Sequence, residues 1–441
     1  MRSSEELLQY IKVLVEVNTG ENLTEVESIV LDECLQGIKK TYRDIALEHD
    51  YSFNYIQQVI APNLWRLLTE VLEEKVSKAN IRPVLEKRIS FQNENLAEKS
   101  EKKIQLELPD GSVPYNSSLY IKRLPEEEAC YQELVKPSAL LKITAPRQMG
   151  KTSLLMRIIS RAEELNYKTA VIDVQHIEKV LLSDFDKFLH WFCAYLTLQL
   201  RLVPKLDDYW DGNMNNKVSS TLYIEEYLLQ QIRTPLVIGI EEINEIFDNL
   251  KISQQFFTLI RHWHEKANIN PVWQKLRLVM VECTEVNTPL SVDESLSDLG
   301  LNLELRPFNQ EEVQELIKRH QLHLAPNQLG TVMDLLSGHP YLVRVFLYFL
   351  YQQKDNFEQL MSTAATDTGI YSNHLHKHLW NLQDNPELKA AFKVLLNTKE
   401  PVKLDPQIAL RLKNTGLITV AKGKCTIANG LYRRYFSQRL S

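Results

Sequence analysis

In the first ninety residues the apolar positions recur at helical spacing in short runs. Leu31, Leu35 and Ile38 form one run, and Tyr42, Ile45 and Ala46 begin a second. After a break at Asp50, Tyr51 and Ser52, a third resumes at Tyr55, Ile56, Val59 and Ile60. Two helices separated by so short a break predict a helix-turn-helix. In that motif the second helix faces the DNA major groove, and Asn54, Gln57 and Gln58 are able to pair with base edges. Residues 1–90 hold eleven Lys and Arg against fifteen Asp and Glu, so the basic surplus that gives such domains most of their affinity is missing. Docking to a protein is an equal use for these helices.

The pattern then changes twice. The stretch 91–107 is polar and charged with no apolar period, and Pro109, Asp110 and Gly111 signal a turn at its far end, so a linker is expected over 91–115. Beyond it, apolar runs at 140–144, 170–174, 236–240 and 276–281 alternate with helical stretches, which predicts a parallel sheet covered on both faces. Near the C-terminus, an amphipathic helix over 386–396 and a second beginning at 408 precede a hairpin, 416–420 and 425–427 around a turn at 421–424. Helices followed by a small hairpin describe a winged helix.

The chemistry is concentrated at the ends of the predicted strands. Directly after the first comes Ala145, Pro146, Arg147, Gln148, Met149, Gly150, Lys151, Thr152 and Ser153, leading into an apolar helix. Strand, glycine-containing loop ending in Gly-Lys-Thr, then helix is the context of a phosphate-binding loop. Its successive N–H groups cup phosphate oxygens at a helix N-terminus, and Gly150 lets the backbone approach closely. Lys151 supplies the charge for the β and γ phosphates, and the Thr152 hydroxyl can reach Mg²⁺. Ala145 stands where the general pattern has its first Gly, which requires an ordinary negative φ there.

The strand at 236–240 ends in Glu241 and Glu242. In such ATPases the first acid orders Mg²⁺ through water and the second polarises the attacking water. Glu241 is longer than the usual Asp by one C–C bond, roughly 1.5 Å, so ATP turnover is expected to be slow. Thr284, after the strand at 276–281, could sense a γ-phosphate. Arg261 is either a charge clamp acting in trans or a solvated helix arginine.

Composition narrows the class. The chain has 441 residues, 44% hydrophobic and 24% charged, which suits a soluble protein of several domains. No apolar run approaches the roughly 18 to 20 residues a membrane helix needs, and the acidic start MRSSEELLQYIK is unlike a secretory signal, so a cytoplasmic location is expected. Five scattered cysteines with no Cys-x-x-Cys spacing argue for free thiols. Net charge is −6, yet the segment from Tyr371 onward holds twelve Lys and Arg against four Asp and Glu. That basic tail could face nucleic acid, with Lys422, Lys424, Arg433 and Arg434 gripping the backbone, or dock on the acidic remainder of the chain. His374, His376 and His378 alternate along one predicted helix, as metal ligands or as a wet helix face.

Two families are resembled. The segment from Leu23, Thr24 and Glu25 to Tyr51, and the run YIQQVIAPNLWRLLTEVLEEKVSKANIRPVLEKR ending at Arg88, resemble the N-terminal helix-turn-helix domain of vWA-MoxR-associated proteins of cyanobacterial signalling and conflict systems. His49 and Asp50 replace the usual Leu and Gly of its turn. From Tyr120 onward the chain resembles AAA-like signalling ATPases through YIKR (120–123), PRQMGKTSL, FLHWFCAYLTLQLRL, RHWHEKANI, TEVNTPL, RPFNQEEVQEL and SGHPYLVR (337–344). Ala at 145 is usual in that family; Glu241 for Asp, and SLSDLG at 295–300 for SPFNVG, are departures.

The resemblance implies that Tyr120, Ile121 and Arg123 lie near the adenine. It also implies that Gly338, His339 and Pro340 begin a lid helix touching the base or sugar, and that the winged helix folds back on the nucleotide domain. The expected fold is multidomain. An all-α helix-turn-helix domain (1–90) precedes an α/β P-loop NTPase core with a parallel sheet and helices on both faces (116–306). A helical lid (307–369) and a winged helix (370–441) follow. The expected function is a signalling ATPase, binding ATP or ADP with Mg²⁺, that switches with its nucleotide, recruits a protein through its N-terminal domain and forms nucleotide-dependent homo-oligomers. An ATP-gated DNA-binding regulator and a non-hydrolysing scaffold are the alternatives.

Overall fold

The computed structural model describes residues 4–19, 23–36, 40–72, 74–87, 106–210, 214–285, 296, 298–352 and 357–440. Ile38, the linker residues 91–105, the 286–290 part of TEVNTPL, and Ser295 and Ser297 of SLSDLG lie outside them. The chain divides into two compact units, Met1–Gln105 and Leu106–Ser441.

The N-terminal unit is helical. Ser4–Thr19 and Glu25–Leu35 precede the helix-turn-helix pair. Its first helix, Tyr42–Glu48, starts at a capping box in which Thr41 and Asp44 satisfy each other's backbone N–H groups. Its second runs from Phe53–Tyr55 through a wide π turn at Ile56–Ile60 into Ala61–Leu72. Pro62 explains the wide turn, because it has no N–H to give and its ring crowds the preceding carbonyls. The turn between the helices stays tight without glycine. Asp50 takes a left-handed φ of 56°, and Tyr51 N–H reaches Ala46 O at 2.9 Å, closing the first helix as a glycine would. Beside it, Lys40 lies between Glu33 and Glu48 at 2.7 and 2.6 Å, and His49 Nε2 is 3.2 Å from Glu33. An ammonium thus already fills the centre of that acidic group.

The larger unit is built on five parallel strands: β1 Leu140–Ala145, β2 Lys168–Asp173, β3 Leu236–Glu241, β4 Leu276–Cys283 and β5 Leu301–Glu304. Their order is β2-β3-β4-β1-β5. Alternate residues serve opposite layers. Leu141, Ile143, Val279 and Val281 pack under Glu126–Leu134 and Lys151–Glu164, while Leu140, Leu278 and Met280 pack under Phe185–Gln199 and Leu250–Lys266. β5 was not foreseen: four residues with alternating exposure make no distinctive apolar run.

Lid helices Gln310–Arg319, Pro326–Leu336 and Pro340–Gln352 follow the sheet. The winged helix comprises Ser372–Asp384, Pro386–Leu396, Pro406–Asn414, the hairpin of β6 Ile418–Ala421 and β7 Lys424–Ile427, and Gly430–Ser437. Lid and wing share one core in which Phe346 and Leu336 join Phe392, Tyr432 and Phe436. Sequence reading had treated them as separate bodies; here they share one interior. Arg433 is also reassigned: its guanidinium donates to the carbonyls of Leu395 and Thr398 at 3.3 and 3.0 Å, so it ties the wing together instead of facing outward.

In the N-terminal unit Leu64 is fully buried. Leu64→Ala should cost about 2–5 kcal/mol, read as a lower denaturant midpoint with circular dichroism.

Candidate functional site

The loop after β1 is shaped by backbone conformation. Ala145 is the last extended residue of β1, so its Cβ is accommodated. Gln148 and Gly150 take left-handed φ values of 61° and 91°. Alternation of this kind turns successive N–H groups to one side and makes an anion nest. Gly150 is required twice over, since a Cβ there would also lie 3.2 Å from the Arg123 guanidinium. Helix Lys151–Glu164 starts immediately after it, adding its N-terminal donors.

The charged groups of the loop are held by groups of the protein itself. Lys151, 5% exposed, donates to Ala145 O and Pro146 O at 3.0 and 2.9 Å. Arg123 is buried, donates to Met149 O and to Arg306 O, and lies 4.9 Å from the Phe308 ring centre. Burial pulls its pKa down to about 10, which leaves it charged at neutral pH. Thr152 Oγ1 donates directly to Glu241 Oε1, so the two groups expected to hold Mg²⁺ are in contact. Burial raises the Glu241 pKa, and neighbouring Asp173 and Glu242 raise it further, against the Thr152 hydroxyl and Lys151. Glu242 follows in a left-handed conformation (φ 51°) that turns the chain out of β3. Its carboxylate has no hydrogen-bond partner among the described residues.

The remaining expected residues fall into two groups. Tyr120, Ile121, Arg123, Gly150, Ser153 and Pro340 line one cavity, and its volume is about 40 Å³. Small-molecule sites begin at roughly 300 Å³, so this cavity is closed around Arg123. Arg344 also lines it, with its Nε buried and unpartnered. Tyr120 is fixed by its hydroxyl on Glu127 at 2.8 Å and by the Arg157 guanidinium 3.5 Å from its ring centre. Thr284 is engaged elsewhere: its hydroxyl donates to Asn414 O, in the winged helix, at 2.9 Å.

Several residues near the loop were not anticipated. Asn244 is buried, and its Oδ1 accepts the Cys283 N–H at 3.0 Å, joining the turn after β3 to the end of β4. Glu285 Oε1 accepts the Arg147 N–H at 3.0 Å. From the winged helix, His374 Nδ1 meets Gln148 Oε1 at 2.8 Å while its Nε2 meets Tyr432 OH at 2.8 Å. Burial depresses the pKa of His374 well below its ordinary value and that of His378 to about 4, so both stay neutral. They are not the wet face considered from sequence; His376 instead pairs with Asp367 at 2.9 Å. Among the described residues, the one cluster with metal-ligand spacing is Glu33, Glu48 and His49. Arg261 is bound by Asp298 at 2.9 and 2.7 Å, which favours the structural reading over the clamp.

A profile of the AAA-like domain matches residues 108–438, three quarters of the sequence. The chain belongs to the AAA-like family. It is an AAA-like P-loop ATPase carrying an N-terminal helix-turn-helix domain, for residues 2–88 match the vWA-MoxR associated protein N-terminal HTH. No curated protein matches this AAA-like chain. Among solved structures, a Walker-type ATPase of Pyrococcus abyssi aligns over 75% of this chain and 99% of its own at 14% identity with a TM-score of 0.52, which shows a shared fold. The ORC2 protein of Aeropyrum pernix aligns over 74% and 95% at 14% identity, TM-score 0.44. A STAND protein with a tetratricopeptide repeat sensor from Pyrococcus horikoshii aligns over 76% and 44% at 17% identity, TM-score 0.34.

The raised pKa of Glu241 sets a pH signature. Folding favours its protonated form, so its contribution to stability is full below the ordinary value of 4.5 and is lost as pH rises through the folded value. Glu241→Gln should therefore raise the melting temperature of the nucleotide-free protein more at about pH 8 than at about pH 5. Differential scanning calorimetry at the two pH values measures this, and no difference between them would show that the carboxylate is at ease where it lies.

Proposed function

We propose that this AAA-like protein is a nucleotide-controlled switch whose lid and winged helix form one block seated on the phosphate loop. The observation that carries this is the pair of hydrogen bonds from the winged helix to the nucleotide machinery: His374 to Gln148 in the loop, and Asn414 O to Thr284 at the end of β4. Gly416 reinforces the seat, because even a Cβ there would come within 3.1 Å of Pro146 Cβ. Lys413 adds an ion pair to Glu304 at 2.8 Å.

The residues fit ATP or ADP with Mg²⁺. Lys151 is buried against neutral carbonyls, Arg344 has an unpartnered nitrogen beside Gly150, and the Arg147–Ser153 segment is a nest opening at a helix N-terminus. In this reading the loop N–H groups and Lys151 hold the phosphates, while Tyr120, Ile121, Arg123 and Pro340 open around the base. Thr152 and Glu241 would hold Mg²⁺, which would neutralise phosphate charge. Glu242 positions water for slow hydrolysis that resets the switch. Thr284 and Gln148 cannot serve both a phosphate and the winged helix with the same atoms, so a triphosphate in the loop loosens the block and favours self-assembly, whereas a diphosphate leaves it seated.

The N-terminal unit would recruit a protein. Residues 53–65 of its second helix contain no charged side chain, and Phe53, Tyr55 and Val59 are exposed beside Asn54, Gln57 and Gln58. Phosphate contacts supply most DNA affinity, so this surface suits a protein better than a duplex.

Two experiments test the proposal. Lys151→Ala should weaken ADP binding at least about a hundredfold, some 2.7 kcal/mol, in calorimetric titration; unchanged affinity would end the nucleotide assignment. Hydrogen exchange of the amides in Ser372–Asp384 and Pro406–Asn414 should be faster with a non-hydrolysable ATP analogue than with ADP. Equal protection in both states would refute the switch.

A further inference from the structure

A phosphate loop is a cup for an anion, and in this protein its Arg147 N–H already has a carboxyl partner. Glu285, two residues beyond β4, places Oε1 3.0 Å from the Arg147 N–H and Oε2 3.5 Å from Arg147 Nε. Its side chain is 15% exposed. Burial raises the pKa of this carboxylate, and what counteracts the burial is the Arg147 N–H together with the positive charges of Arg147, Lys377 and Lys151. The cations around Glu285 are thus those of the loop and of the winged helix.

Its place along the loop matters. The donors at the start of helix Lys151–Glu164 close the loop and define its inner end; the Arg147 N–H, four residues earlier and bonded to Glu285 beyond β4, defines its outer end. The Thr284 N–H meets Ala145 O at 3.1 Å, so the β4 end and the loop entrance are joined backbone to backbone. A diphosphate can fill the inner donors and leave Glu285 where it is. If a third phosphate extended toward that outer end, it would meet a carboxylate of its own sign and would have to displace it to reach the Arg147 N–H.

We propose that Glu285 sets the nucleotide preference of this site, acting as a resident anion that admits a nucleoside diphosphate and opposes the terminal phosphate of a triphosphate. This deepens the nucleotide-binding reading and rests on it. The consequence reaches the winged helix through one peptide bond. Thr284 holds Asn414 O, so a triphosphate that pushes Glu285 aside strains the hydrogen bond seating the wing, whereas a diphosphate does not. A purely structural staple would have the same geometry but no effect on which nucleotide binds.

Glu285→Gln separates the two roles, because glutamine keeps an oxygen to accept the Arg147 N–H and removes the charge. The full chain, stripped of nucleotide, is titrated calorimetrically with Mg-ADP and with the Mg complex of a non-hydrolysable ATP analogue. Wild type should bind the diphosphate more tightly. In Glu285→Gln the ratio of the two affinities should move toward the triphosphate by about tenfold or more, with the ADP affinity changed by less than about twofold. Glu285→Ala should move the ratio the same way, and serves if the glutamine variant unfolds. An unchanged ratio in a variant that still binds ADP overturns the role given to Glu285 and leaves nucleotide binding standing. Failure of wild type to bind ADP removes the underlying reading and this one with it.

Discussion

Everything around the phosphate loop is arranged to satisfy an unusual local concentration of donors and positive charge. A nest of N–H groups at a helix N-terminus, a buried lysine and a buried arginine are each costly without acceptors. The protein supplies those acceptors from several directions. Lys151 turns back on the carbonyls of its own loop, Arg123 takes Met149 O and Arg306 O, and Glu285 comes from the end of β4. Gln148 reaches His374 in the winged helix. One short segment is therefore tied to the β4 end and the wing at once, the geometry by which, in the proposed switch, the loop would report its occupancy.

The strength of that report depends on how the block is held. Lid and wing share a core, so they do not separate cheaply; the block meets the loop through two hydrogen bonds, a partly exposed ion pair and the Gly416 packing against Pro146. A hydrogen bond contributes about 1 kcal/mol net and an exposed ion pair less than about 1 kcal/mol. The seat is thus worth a few kcal/mol. Moving a two-state equilibrium from one side to the other takes about 5.5 kcal/mol of differential affinity, so a seat of this size lies within reach of a ligand. Leu119 and Ile121, from the segment before β1, also join the shared core, so the lid is held more firmly than these wing contacts are.

How much of this the sequence carried follows from what periodicity encodes. It tells which face of an element is covered, and so β1 to β4, the phosphate loop, the helix-turn-helix and the wing hairpin were legible. It does not tell what covers that face. β5 was too short and too evenly half-exposed to register, and the single core joining lid to wing is made by residues from Leu119 to Leu440. His374 and His378 lie one helical turn apart, which predicted a common face but not that the phosphate loop lies against it. Glu285 and Asn244 gave no signal at all, because an acid or an amide after a strand is commonplace until its partner is known. Arg433 misled for the opposite reason: a basic residue behind a hairpin looks solvent-facing, and here three carbonyl groups claim it.

The longer acid at the end of β3 shows how one departure alters the balance. An aspartate in place of Glu241 would end one methylene sooner; the glutamate reaches Thr152 and bonds its hydroxyl. That contact satisfies both groups without a cation, yet the raised pKa shows that the carboxylate remains poorly solvated, crowded by Asp173 and Glu242 and only partly offset by Lys151. A divalent cation would relieve such crowding, since a nearby positive charge favours the ionised form of Glu241. Thr152 and Glu241, the residues that would hold one in the proposed function, are bonded to each other here. For the proposed switch, this would add a rearrangement before the site is complete, a physical source for the proposed slow turnover.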